Sequence, residues 1–176
     1  SVLSNGIAES TTVNNGGVLA VAAGGTASDI VMNDGGTLIA DTGANILGNT
    51  TLKDNAVLAG DVTNNDTLLF STGSGAEARF SGTLSGEGSL LKEGDGTLTV
   101  SDSTVTQSQL TLNGGTLALE NSVVNSDVIA QSGTSLLLTG NTVLNGAIDP
   151  TDVTLDSGAI WNIPDNATVK SVLDDL

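Results

Sequence analysis

The chain has 176 residues, a formal net charge of −16 and neither Cys nor His. Twenty acids face only Lys53, Arg79, Lys92 and Lys170, so the basic footprint that nucleic acid demands is missing. Without His or Cys there is no base for a Ser or Cys nucleophile, no imidazole or thiolate set for zinc and no disulfide staple. The apolar share of 38% is almost wholly Val, Leu, Ile and Ala, and the only aromatics are Phe70, Phe80 and Trp161. Its longest aliphatic run, Val18 to Ala23, is six residues, far short of the ~20 that span a bilayer.

Residues 1–60 carry the first copies of a repeat. Asn15-Gly16-Gly17-Val18-Leu19 returns 19 residues later as Asp34-Gly35-Gly36-Thr37-Leu38, with a weaker copy at Asp54-Asn55-Ala56-Val57-Leu58. Asn-Gly, Asp-Gly and Gly-Gly pairs mark turns, because glycine takes positive φ without steric cost. The aliphatic runs between them are short strands, and no segment shows a helical i, i+3, i+4 stripe.

Between 61 and 105 the glycines crowd together and the spacing reads as tighter. Gly86-x-Gly88 and Gly94-x-Gly96 each precede a short strand, as two corners of successive coils would. From 106 to 160 the 19-residue beat resumes through Asn113-Gly114-Gly115-Thr116-Leu117 and Leu136, with Asp156-Ser157-Gly158-Ala159-Ile160 as a further weak copy. The last stretch departs from the beat with Trp161, Pro164 and Asp174-Asp175, which suggests a change of coil shape or a plug over the core.

A period near 20 is too short for a helical-pair repeat or a propeller blade. It suits one coil of a β-solenoid, in which each repeat stacks only on its neighbours. Nine or so coils at the ~4.8 Å strand spacing make a rod about 40 Å tall. The expected fold is therefore all-β, a solenoid with 19–20 residues per coil. It is one continuous rod with regular coils over 1–60, glycine-rich coils over 61–105 and C-terminal coils over 106–176. About two negative charges per coil are tolerable in such a rod, since screening acts over ~8 Å.

One string is specific enough to carry a family resemblance. Gly86-x-Gly88-x-Leu90-x-Lys92-x-Gly94-x-Gly96-Thr97-Leu98-Thr99-Val100 resembles the passenger-associated transport repeat of Gram-negative autotransporters. The flanking Asn-Gly-Gly-Thr-Leu units resemble those of the AIDA-type adhesins and their auto-aggregating relatives. The ending Ile160-Trp161-Asn162-Ile163-Pro164 resembles the entry to a pertactin-like autochaperone region. The resemblance implies a right-handed parallel β-helix displayed at the cell surface, outside the outer membrane. Membrane contact would come only through a C-terminal β-barrel beyond this piece, and the chain reads as an excerpt of a longer polypeptide. It also implies a folding role for Gly86, Gly88, Leu90, Lys92, Gly94, Gly96, Thr97, Leu98 and Trp161. Roles in adhesion, aggregation and biofilm formation follow, with host surface or matrix molecules, or the rod itself, as partners.

The remaining candidates are weighed from the residues. Asp34, Asp54, Asp95 and Asp156 recur near turns, and a β-helix can stack acids into a sugar-cleaving cleft, which needs two carboxylates about 5–9.5 Å apart. Few aromatics and few bases argue against that chemistry, and turn aspartates bonding their own backbone account for the pattern. No EF-hand loop or calcium-roll nonapeptide occurs, and no cofactor is expected. The Asn-x-Ser/Thr triplets at Asn49, Asn65 and Asn166 read as chance in an Asn- and Thr-rich bacterial sequence. Stacked turns would place Asn14 beside Asn33 and Asn15 beside Asp34. That column is either a lateral self-association edge or a solvated edge whose amides bond along the stack. Adhesion without catalysis, a pure autochaperone module and a carbohydrate-active β-helix are the three readings left.

Overall fold

The computed structural model describes residues 1–149, 152–163 and 171–175. Every strand pairing among them is parallel, and they contain no helix. The chain winds as a three-sided coil. Its front face starts with Val18–Val21 and Thr37–Ala40 and ends with Asp152–Asp156 and Ser171–Asp175. Nine strands stack in sequence order on this face, so the rod makes eight turns, about 38 Å at ~4.8 Å per step. The back face holds eight strands, from Thr12–Val13 to Ile148–Asp149. This is the β-solenoid expected from the repeat.

The side face changes along the rod. Ile7–Glu9, Thr26–Ser28 and Asn45–Leu47 form their own three-stranded sheet. In the next three coils, front and side merge into single bent strands, Val57–Thr63, Glu77–Ser85 and Thr97–Val105. Below them the side face is separate again, as Val123–Val124, Val143–Asn145 and Ile160–Asn162.

Register is set by aliphatic ladders, since strand alternation sends every second side chain inward. On the front face Leu19, Leu38, Leu58, Phe80, Val100, Leu119 and Leu138 form one inward column. On the back face Met32, Leu52, Phe70, Lys92, Leu112 and Ala130 form another.

Three details of the repeat differ from the sequence reading. Leu58 and Phe80 pair across 22 residues, against 19 for Leu19 and Leu38, so the coil near residue 70 is wide rather than tight. Gly86-x-Gly88 and Gly94-x-Gly96 lie at the two ends of one back-face strand, Ser89–Glu93, and so form two corners of the same coil. Asp156 to Ile160 connects the front strand Asp152–Asp156 to the side strand Ile160–Asn162, a different corner from that of the other glycine-pair copies.

The repeat copies also change phase. Leu117 stacks on Leu98, which stacks on Ala78, whereas the column of Leu38 and Leu58 continues through Phe80 and Val100 to Leu119. The Asn-Gly-Gly-Thr-Leu unit at 113–117 therefore sits two residues earlier in its coil than the unit at 34–38. A shift of two preserves the inward face, and the wide coil absorbs it.

Candidate functional site

The transport-repeat segment runs through the back-face strand Ser89–Glu93 into the bent strand Thr97–Val105. Leu90 and Leu98 point inward and are fully buried, and Thr97 faces outward and is half-buried. Lys92 is 0% exposed although it stands in an apolar column between Phe70 and Leu112. Its methylene stem substitutes for an aliphatic side chain, and its ammonium turns to the corner between back and front faces. There Nζ donates to the carbonyls of Glu93, Gly94 and Gly114 at 2.9, 2.8 and 3.1 Å. Burial pulls the Lys92 ammonium down to a pKa of about 8, and the nearby Asp95 carboxylate partly offsets this.

The glycines of the motif are sites of close backbone approach. A Cβ on Gly94 would lie 2.2 Å from the Thr72 carbonyl, and one on Gly96 2.3 Å from that of Gly73. At the opposite corner, a Cβ on Gly86 would lie 2.3 Å from the Asn64 carbonyl, and one on Gly88 2.4 Å from that of Asp66. This second corner carries a buried polar column that sequence reasoning missed. Asn64 Nδ2 donates to Gln107 Oε1 at 2.6 Å and to the Ser89 carbonyl at 3.1 Å. Gln107 Nε2 donates to the carbonyls of Gly86 and Thr106 at 3.2 and 3.0 Å. Below it, Ser126 Oγ accepts from the Gln107 amide and donates to the Gln107 carbonyl, each at 2.9 Å.

The column ends at Trp161, which is half-buried against the core. Its indole N–H donates to the Gly146 carbonyl at 2.9 Å, and its strand places it beside Leu144. Residues 164–170, including Pro164 and Asn166, lie outside the described residues, as does Pro150.

The front–side corner has its own hydroxyl ladder. Gly82 donates to Ser103 Oγ, the Ser103 amide to Ser122 Oγ and the Ser122 amide to Thr142 Oγ1, at 3.1, 3.1 and 3.2 Å. Ser122 and Thr142 in turn donate to the carbonyls of Glu120 and Thr139, at 2.8 and 2.7 Å. Ser and Thr are common enough in this sequence that nothing marked these three for burial.

The edge residues occupy the outer rim of the back–front corner. Asn33 Nδ2 donates to Asn14 Oδ1 at 3.0 Å, and Asn55 Nδ2 to Asp34 Oδ1 at 2.8 Å. Asn15 is exposed beside Gly35. A second amide row, unremarked in the sequence, runs down the side–back rim: Asn162 donates to Asn145, and Asn145 to Asn125 at 2.8 Å. Of the turn acids, Asp54 Oδ1 accepts from the Gly73 amide at 2.9 Å and Asp156 Oδ1 from the Ser157 amide at 2.7 Å. Asp34, Asp54 and Asp95 lie at the back–front corner of their coils, whereas Asp156 lies at the front–side corner.

A single-chain rod of stacked parallel coils, with polar rims and a buried glycine–lysine corner, defines the class of the parallel β-solenoids. No protein-family model matches the sequence. Over 97% of its length the chain is 32% identical to the autotransporter adhesin/invasin TibA of Escherichia coli O78:H11 (strain H10407 / ETEC). Over 74% it is 34% identical to the autotransporter CRAC of Citrobacter rodentium (strain ICC168). The chain spans 18% and 8% of those relatives. It belongs with the AIDA-type autotransporters as a stretch of passenger, the part that such proteins display at the cell surface outside the outer membrane.

Proposed function

We propose that this segment acts in a surface adhesin as both spacer and folding platform, serving cell aggregation, adhesion and biofilm formation. The observation that carries the reading is the alignment of nearly the whole chain with an autotransporter named as an adhesin and invasin. Adhesin-type relatives favour binding over catalysis. The amide rows at Asn14, Asn15, Asn33 and Asp34 and at Asn125, Asn145 and Asn162 supply donors and acceptors on two rims. A second rod or a host surface molecule is the partner class suited to them. The templating role draws support from stacking itself, because a formed coil presents a ready edge to the next.

Two interventions in the full-length surface protein test the reading. Changing Asn15 and Asn33 to Asp is expected to weaken settling of aggregating cells while leaving the passenger displayed. Deleting residues 80–176 is expected to abolish protease-resistant display of everything before them. Unchanged settling would remove the rim from the adhesive surface, and normal display of the deletion would remove the platform role.

A further inference from the structure

A rod of near-identical coils faces a hazard that a globular core does not. The front-face rungs are Leu over Leu, as at Leu19, Leu38 and Leu58 or at Leu98, Leu117 and Leu136. Aliphatic contacts are non-directional, so a strand that skips one coil and docks on the coil beyond still buries Leu against Leu. Something else has to tell one coil from another.

The buried polar groups around the transport repeat are placed to do so. Asn64 and Gln107 do not sit on adjacent coils: 43 residues and one whole intervening coil separate them, yet their side chains meet at 2.6 Å. They meet because the coil between them presents Gly86-x-Gly88 at that corner. A Cβ on Gly88 would lie 2.7 Å from Asn64 Nδ2, inside the space that the amide occupies. Asn64 and Gln107 are only 5% and 4% exposed, so neither has water to replace its partner. Lys92 belongs to that same intervening coil, and one of its three acceptors, the Gly114 carbonyl, is supplied by the coil that follows.

We propose that Asn64 and Gln107, meeting through the Gly86-x-Gly88 window, and Lys92, anchored at the opposite corner of the same intervening coil, form a register clamp that fixes which coils are neighbours over residues 64–114. If the middle coil were skipped, Gln107 would be forced directly against Asn64 with no glycine layer between them. Lys92 would be expelled with its coil, and buried amides would lose directional partners, a penalty that aliphatic rungs do not impose. A buried polar contact selecting one register among similar ones is the best-attested use of such groups. This assignment is independent of adhesion and of the direction in which the rod folds.

The chain has no cysteine, so engineered pairs report register cleanly. Leu69 and Leu91 are outward neighbours in the native stack, and Thr111 follows Leu91. Leu69→Cys with Leu91→Cys is therefore a native reporter. Leu69→Cys with Thr111→Cys lies two strand spacings apart, about 9.6 Å, beyond disulfide reach unless the Lys92 coil has been skipped. Each pair is placed in the 176-residue chain with and without the clamp variant Asn64→Leu, Gln107→Met, Lys92→Met, then refolded from denaturant under oxidising conditions. The skipped-coil cross-link is expected to rise about tenfold in the clamp variant, the factor matching ~1.4 kcal/mol of lost discrimination. Leu84→Ala, an aliphatic truncation among the same coils, serves as the stability control and is expected to leave that cross-link at background. Asn64→Leu with Gln107→Met alone, and Lys92→Met alone, are run beside the triple variant in case it does not refold. The clamp is overturned if the variants refold with the native cross-link only, if Leu84→Ala skips as often, or if no variant refolds, which would assign these residues to stability instead.

Discussion

The first coils and the later ones solve the same packing problem with different materials. Up to about residue 60 the interior is aliphatic with many small residues, including Ala27, Ala40, Ala44 and Ala56, and Thr50 is the one buried polar side chain among the described residues there. Its hydroxyl has no partner. From Asn64 to Leu144 the interior gains Phe70, Phe80 and nine buried polar residues, among them Lys92, Gln107, Ser122 and Thr142, and these are tied to backbone groups of their own or neighbouring coils. Backbone ladders and rim bonds run through both regions, but the interior of the first is held by non-directional contacts. The second adds buried side-chain bonds across coils, and those specify order as well as cohesion. In a solenoid, where stability is roughly a sum over neighbouring interfaces, the second region is expected to open last.

The largest expected effect comes where the two regions join. Gly60 has φ 109, and a Cβ there would lie 1.9 Å from the Ala40 carbonyl. Gly60→Ala is expected to cost ~4 kcal/mol, in the range reserved for backbone clashes, and to shift the urea midpoint accordingly. Hydrogen exchange should then show the coils before residue 60 opening separately from those after it. Leu98→Ala, in the second region, is expected to cost about 3 kcal/mol as a buried truncation. If it loosens protection in the first coils as much as in its own, the two regions are one cooperative unit and the contrast fails.

Lys92 gives the second region a pH signature. Its folded pKa of about 8 lies below the ordinary 10.5, so between these values the unfolded chain holds a proton that the folded chain has released. Stability therefore rises with pH through that window. Thermal midpoints of the parent relative to Lys92→Met should climb from pH 8 to pH 10, and a flat difference would mean that the ammonium is not desolvated as its burial implies. Trp161→Phe keeps most of the ring's packing but removes the bond to Gly146, and is expected to cost ~1 kcal/mol. The smallest effect belongs to Asn33→Ala on the exposed rim, a few tenths of a kcal/mol, because water replaces the lost amide contact with Asn14.

The solenoid was legible because turn glycines and aliphatic dipeptides recur at the length of one coil. The transport-repeat glycines were legible as corners, though not as two corners of one coil, since the strand between them, Ser89–Glu93, is only five residues long. Lys92 could be named from a motif, but its burial could not. A charged residue in a Leu-Leu-Lys run reads as outward unless the register against Phe70 and Leu112 is known. Asn64, Gln107 and the Ser103–Ser122–Thr142 ladder were invisible for a related reason. Their meaning lies in contacts 19 to 43 residues away, and residue types so common in this chain carry no local signal.

The two-residue phase change bears on how such rods can be cut and rejoined. A coil taken from before residue 60 and spliced in place of one after residue 100 would keep its inward face yet bring its glycine turn out of line with the bends above and below. Exchange of coils between the halves is thus blocked by geometry even where the sequences look interchangeable, whereas exchange within a half is not. Recombination among relatives should accordingly leave junctions that respect the wide coil around Leu58 and Phe80.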